Sequence, residues 1–212
     1  MLIEFVGLSG SGKSTVTESF MKMHNNFYPG RPSMGAGMSI WIYRARYAYC
    51  FPRFLITTMQ LEKNMRTVDH DFNFKVYIRI AVWAFFSYCF KKDKRRNIVD
   101  QGFLQYCCFL AVSLEGKARK HFLNLVIKGY GKFSIPDVVC FLDVAPELSA
   151  ARTKMNGSNF KEAERLERFR GGISDMLNIV SKNSHVISIP VMHSDSPKSV
   201  VKKFSDHVEG SL

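Results

Sequence analysis

The sequence predicts an α/β protein: a parallel sheet with helices over both faces. Three observations carry that prediction. Short apolar segments alternate along the chain with stretches of helical pattern. The first apolar segment runs straight into a glycine-rich loop and then a helix. The composition is that of an ordinary globular domain, with 46% hydrophobic and 23% charged residues and only 7 Pro and 14 Gly, which excludes disordered, collagen-like and low-complexity classes. At 212 residues the chain reads as one domain, 1–212.

Residues 2–6 read as a buried strand, 7–12 as a loop and 13–24 as a helix without breakers. Pro29, Gly30, Pro32, Gly35 and Gly37 make 25–37 loop-like, with room for a second strand whose position the pattern does not give. Residues 39–50, aromatic and basic, and 53–66 carry helical pattern. Residues 72–90 read as a long, largely buried helix closed by the basic run 91–96, where cations suit the negative helix end. A strand at 97–100 ends in an acid. Residues 103–128 are helical in two pieces meeting near Gly116. The strand at 137–143 is the clearest in the chain. Pro146 suits the first turn of a helix to 154. A helix over 160–181 with a kink at Gly171-Gly172, a strand at 185–191 and a helix from Pro197 to 208 complete the chain.

The motif with chemical content is Gly7-Leu8-Ser9-Gly10-Ser11-Gly12-Lys13-Ser14, which fits G-x-x-x-x-G-K-[ST] throughout. A polyphosphate is dense negative charge that must be held without bulky side chains. Glycines let successive backbone N–H groups point inward, and the next helix adds its positive end. Residues Gly7 to Thr15 are thus the expected nucleotide-binding segment. Lys13 is expected on the β- and γ-phosphates, and Ser14 on a magnesium ion. At ordinary glycine frequency the pattern arises by chance in roughly one chain of this length in a hundred. A second carboxylate, ending a neighbouring strand, usually completes such a site. Asp100 and Asp143 are the candidates, and strand quality alone favours Asp143. No Asn-Lys-x-Asp or Leu-Ser-Gly-Gly-Gln motif is present, which argues against GTPase and transporter-ATPase readings. The size favours a small-molecule phosphotransferase.

Several segments together resemble the thymidylate kinase and deoxynucleoside kinase branch of P-loop kinases. They are 3–7 with Lys13-Ser14-Thr15, Asn97-Ile98-Val99-Asp100-Gln101-Gly102, 135–147 with Arg152, and 186–189 with Ser196-Pro197 and Val200. The resemblance implies a three-layer P-loop NTPase fold with a five-stranded parallel sheet, the phosphate-loop strand central, and a helical lid at about 152–170. It places the strand ending at Asp100 beside the phosphate-loop strand, so Asp100 becomes the catalytic carboxylate and a magnesium ligand alongside Ser14. It makes Arg152 a lid arginine on the transferring phosphate, with Arg165 and Arg168 as further candidates. ATP and Mg2+ are implied, with a nucleoside or nucleoside monophosphate as acceptor. Gln101 stands where that family has arginine, which keeps open a sugar or other hydroxyl acceptor and a form that binds ATP without transferring phosphate. Residues 25–75 match nothing in the family.

Trp41, Tyr43, Arg44 and Tyr47 read either as one amphipathic helix or as a pocket that stacks a base. Arg79, inside an apolar helix, is expected either in a core ion pair or in the active cleft. Trp83, Phe85, Phe86 and Tyr88 are expected in the core. The net charge of +12 also fits a nucleotide-dependent module whose basic surface engages nucleic acid or an anionic membrane, although no nucleic-acid motif is present. Peripheral membrane contact and a homodimer stay open. Five cysteines without metal spacing, no leader peptide and no apolar run of about 20 residues make a cytoplasmic, soluble protein the expectation.

Overall fold

The computed structural model describes residues 1–29, 48–66, 74–155 and 163–209. The readings of 39–47 as helix and of Trp41, Tyr43, Arg44 and Tyr47 as pocket residues lie outside them. The elements are β1 (Leu2–Gly7), α1 (Lys13–Met23), β2 (Phe27–Pro29), α2 (Phe51–Arg66), α3 (Phe74–Lys92), β3 (Arg96–Val99), α4 (Phe103–Ala111), α5 (Gly116–Ser134), β4 (Val138–Val144), α6 (Pro146–Met155), α7 (Ala163–Val180), β5 (His185–Val191) and α8 (Pro197–Glu209). A 3-10 turn, Ala48–Cys50, leads into α2.

The strands form one five-stranded sheet in the order β2-β3-β1-β4-β5, and every pairing is parallel. β1 therefore sits in the middle, with β3 on one side and β4 on the other, as the resemblance implied. The second strand, unplaced from sequence, is the short edge strand β2, which pairs Phe27 with Arg96.

Period-two alternation divides the core. Ile3 and Phe5 of β1, with Cys140 and Leu142 of β4, face α1 and α8. Glu4 lies between them in sequence, so it points to the other face along with Val6, Val139 and Phe141, against α2, α3, α4, α5 and α7. The thinner layer is closed by Phe204, which meets Phe5 at 5.0 Å and Phe20 at 5.1 Å between ring centroids.

Two helices differ from their expected form. α5 runs on through Gly129 and Gly131 to Ser134, because tertiary contacts hold its last turns: Thr58 and Tyr130 hydroxyls are 2.5 Å apart, and Ser87 Oγ donates to the Ser134 carbonyl at 2.7 Å. α7 continues through Gly171-Gly172 as one helix, and Arg119 packs over the glycine pair. Arg79 is not in the core. It lies exposed on α3, hydrogen-bonded to the Tyr106 hydroxyl. No helix among the described residues is long and apolar enough to cross a membrane. All five cysteines are free thiols, and Cys89, Cys107, Cys108 and Cys140 are buried.

Phe204→Ala removes the ring that joins α1, α8 and β1. It should cost about 3–5 kcal/mol of unfolding free energy, read from urea denaturation, with the denaturant slope unchanged.

Candidate active site

The carboxyl end of β1 opens into the predicted loop. Gly10 and Gly12 have φ of +76° and +90°, left-handed conformations that a side chain would strain. Ser9 to Thr15 line a cavity of about 580 Å³ together with Gln101, Arg152, Asp195 and residues of β5 and α8. Gly7 and Leu8, the first two residues of the expected segment, lie behind it. Leu8 is buried in the core, and the Gly7 N–H is taken by Gln105 Oε1 at 2.9 Å. Ser149 and Thr153 of α6 both donate to the Ser9 carbonyl, fastening the loop to α6.

Lys13 is buried, and its ammonium donates to the Gly7 carbonyl at 2.9 Å, the Leu8 carbonyl at 2.7 Å and Ser11 Oγ at 3.3 Å. Burial pushes its pKa down to about 8, against the opposing pull of the Asp100 charge.

Asp100 follows β3 directly and accepts a 2.5 Å hydrogen bond from Ser14 Oγ, so sequence-distant partners meet because β3 lies beside β1. Asp143, near the end of β4 on the other side of β1, is gripped by Arg170 through two bonds of 2.9 and 3.0 Å. The structure thus separates the two candidate acids: Asp100 joins the loop, and Asp143 anchors α7. Ser14 and Asp100 offer hard oxygen donors at one point, the donor set that suits magnesium, which takes one or two protein ligands alongside phosphate oxygens. No cluster of three or more His, Cys, Asp or Glu side chains able to hold a metal occurs among the described residues.

Arg152 lines the nucleotide-side cavity and donates to the Met192 carbonyl at 3.5 Å. Arg168 is engaged elsewhere, by Glu164 at 2.7 Å and Glu115 at 3.1 Å, and Arg165 lies on the same exposed face. Of the expected lid, 152–170, residues 156–162 fall outside the described residues. Asp195 completes the wall. The Met192 amide, then the Lys203 ammonium, hold its carboxyl below the usual range.

A second cavity of about 260 Å³ adjoins the first. Trp83, Tyr106, Phe109 and Phe169 form its walls, with Gln101 and Gln105 among them; Ser9, Lys13 and Gln101 belong to both cavities. Trp83 stacks on Tyr106 at 6.1 Å, so it lines this space rather than only filling the core. A larger groove, about 710 Å³, lies at the opposite, amino edge of the sheet, lined by Lys91, Lys128 and Lys182. Those lysines sit toward the carboxyl ends of α3, α5 and α7, whose partial negative charges they offset, so the groove is a weak anion trap despite its size.

Two residues of the site escaped the sequence reading. Glu4 is fully buried, accepting the Gln105 N–H at 2.8 Å and the Leu104 N–H at 3.3 Å. Desolvation raises its carboxyl from the usual 4.5 to about 7, although these amides pull the other way. Gln105 both accepts the Gly7 N–H and donates to the Gly7 carbonyl at 3.0 Å. The one signal was an acid inside an apolar strand; nothing local marked Gln105.

The all-parallel five-stranded sheet with helices on both faces is a fold shared with solved kinases. No family model matches the sequence, and no curated protein sequence matches it. Among solved structures, deoxyadenosine kinase from M. mycoides with bound dATP aligns over 99% of this chain and 100% of its own, at a TM-score of 0.60 and 14% identity. The same enzyme with bound dCTP aligns equally far at 0.59 and 14%. Thymidylate kinase from Candida albicans aligns over 99% of this chain and 91% of its own at 0.61 and 11%. At these identities the likeness establishes the fold.

Between about pH 4.5 and 7 the folded protein keeps a proton on Glu4 that the unfolded chain has released, so this group's contribution to stability declines as pH rises through that window. The decline amounts to about 3 kcal/mol. Urea unfolding at pH 5 and pH 7.5 should show it in the wild type and a flatter profile in Glu4→Gln.

Proposed function

We propose that the protein is an ATP-dependent kinase that moves the γ-phosphate to a small acceptor of the nucleoside or nucleoside monophosphate class. The observation that carries this reading is the meeting of two cavities at Lys13. One is walled by loop amides that suit a polyphosphate, the other by aromatic rings and glutamine amides that suit a flat, hydrogen-bonding base. The folds of deoxyadenosine kinase and thymidylate kinase support it.

In this reading the amides of residues 9–14 and the amino end of α1 bind the β- and γ-phosphates. Lys13 leaves its loop carbonyls for the phosphate oxygens and offsets charge that builds during transfer. Ser14 and Asp100 hold Mg2+, which supplies further charge neutralisation when bound. Asp100, held by the Ser14 hydroxyl, is also the carboxylate that would orient the acceptor hydroxyl. Arg152, at the lid hinge, reaches over the phosphates. The second cavity is close to the lower limit of about 300 Å³ for ligand pockets, a size for a nucleoside rather than a large acceptor.

ATP consumption screened against nucleosides, nucleoside monophosphates and sugars tests the reading directly. Turnover with a nucleoside or its monophosphate supports it, and turnover with a sugar alone replaces the acceptor class. Lys13→Ala should lower turnover about 100- to 1,000-fold while the circular dichroism spectrum stays unchanged, since removing one preorganised charge contact costs about 3–4 kcal/mol of barrier. Transfer that survives this change would refute the mechanism.

A further inference from the structure

β1 spends a carboxylate where its neighbours are apolar. Glu4 is 0% exposed, under the five-helix layer, and a leucine there would avoid the desolvation cost of burying an acid. The carboxylate has a structural counterpart. The first turn of α4 leaves backbone N–H groups without helical acceptors, and its N-cap residue, Gly102, supplies no side chain to receive them. Glu4 receives those of Leu104 and Gln105 and sets negative charge at the positive helix end. The approach is so close that a Cβ on Gly102 would lie 2.6 Å from the carboxyl group, so only glycine lets the chain cross Glu4 here.

The capped turn is joined to the phosphate loop. Gln105 grips Gly7 at both its N–H and its carbonyl. That same carbonyl accepts from Lys13 Nζ. The capped turn also carries the acceptor-side wall: Gln101, Gly102, Gln105, Tyr106 and Phe109. One buried acid thus stands behind both cavities without lining either.

We propose that Glu4 is a positioning residue that locks the amino end of α4, and with it the acceptor wall, to the phosphate loop through Gln105. Its importance for transfer rests on the kinase reading above; the mechanical linkage does not. The titratable side chains of α4 whose fields reach it are the thiols of Cys107 and Cys108, both held protonated by burial; from the loop side, the Lys13 ammonium, its pKa lowered to about 8, shares the Gly7 carbonyl with Gln105.

Two variants separate linkage from simple loss of fold. Glu4→Gln keeps the size and removes the charge. Gln105→Met keeps the length, removes both bonds to Gly7 and lies in a half-exposed position that tolerates change. Hydrogen exchange at the Gly7 amide should quicken at least about tenfold in each. Calorimetric affinity for adenylyl imidodiphosphate with Mg2+ should fall about tenfold in each, and the double variant should bind no more weakly than the worse single one, because both act through one chain of contacts. Wild-type affinity should rise from pH 6 to pH 7.5 as Glu4 ionises, and Glu4→Gln should lack that rise. Unchanged Gly7 exchange in Gln105→Met, or losses that multiply in the double variant, would overturn the proposal. Absence of analogue binding by the wild type would instead overturn the nucleotide reading, and Gly7 exchange would still judge the linkage.

Discussion

Everything at this site depends on β1 being hydrogen-bonded on both sides. A loop whose shape is set by its main chain must start from a strand that cannot move, and β1 is paired with β3 through Leu2, Ile3 and Glu4 and with β4 from Ile3 to Gly7. The ladder therefore grips the strand up to the residue where the loop begins. It also brings Asp100 to Ser14 and leaves Asp143 on the far side, where Arg170 neutralises it. Strand order, more than strand quality, decides which carboxylate joins the loop.

The loop's polar groups are held twice over. Beneath it, Gln105 fixes Gly7; above it, Ser149 and Thr153 fix Ser9. Lys13 is folded against the carbonyls of Gly7 and Leu8, which keep a buried ammonium solvated by the protein itself. The fold thus fixes the loop backbone at Gly7 and Ser9, while the Lys13 ammonium is the group that would have to turn from its carbonyls to meet an anion.

Much of this was legible in the residues. The phosphate-loop motif is local, since eight consecutive positions express one backbone conformation; 138–142 is a continuous apolar run, and 185–191 alternates as a strand should. α3 was legible because helices pack on several of its sides, leaving Arg79 as an exception at the rim. What was not legible depends on separation. Glu4 meets Gln105 across 101 residues of chain, and Gln105 meets Gly7 across 98. Neither glutamine nor glutamate announces such a partner in its own neighbourhood. β2, three residues long at a sheet edge, is too short to leave a period-two pattern. Trp83 read as core because sequence cannot tell a ring that fills a layer from one that walls a cavity within it.

The central place of β1 carries a cost during synthesis. This strand leaves the ribosome ahead of both its partners, β3 and β4, and its apolar edges stay unpaired until residues up to 144 have been made. At translation rates of about 5–20 residues per second, that wait is roughly 7–27 s. A nascent chain of this design therefore passes through a long interval in which its most adhesive segment is bare, and chaperone shelter or slow-codon timing there would govern how much of it reaches the native state.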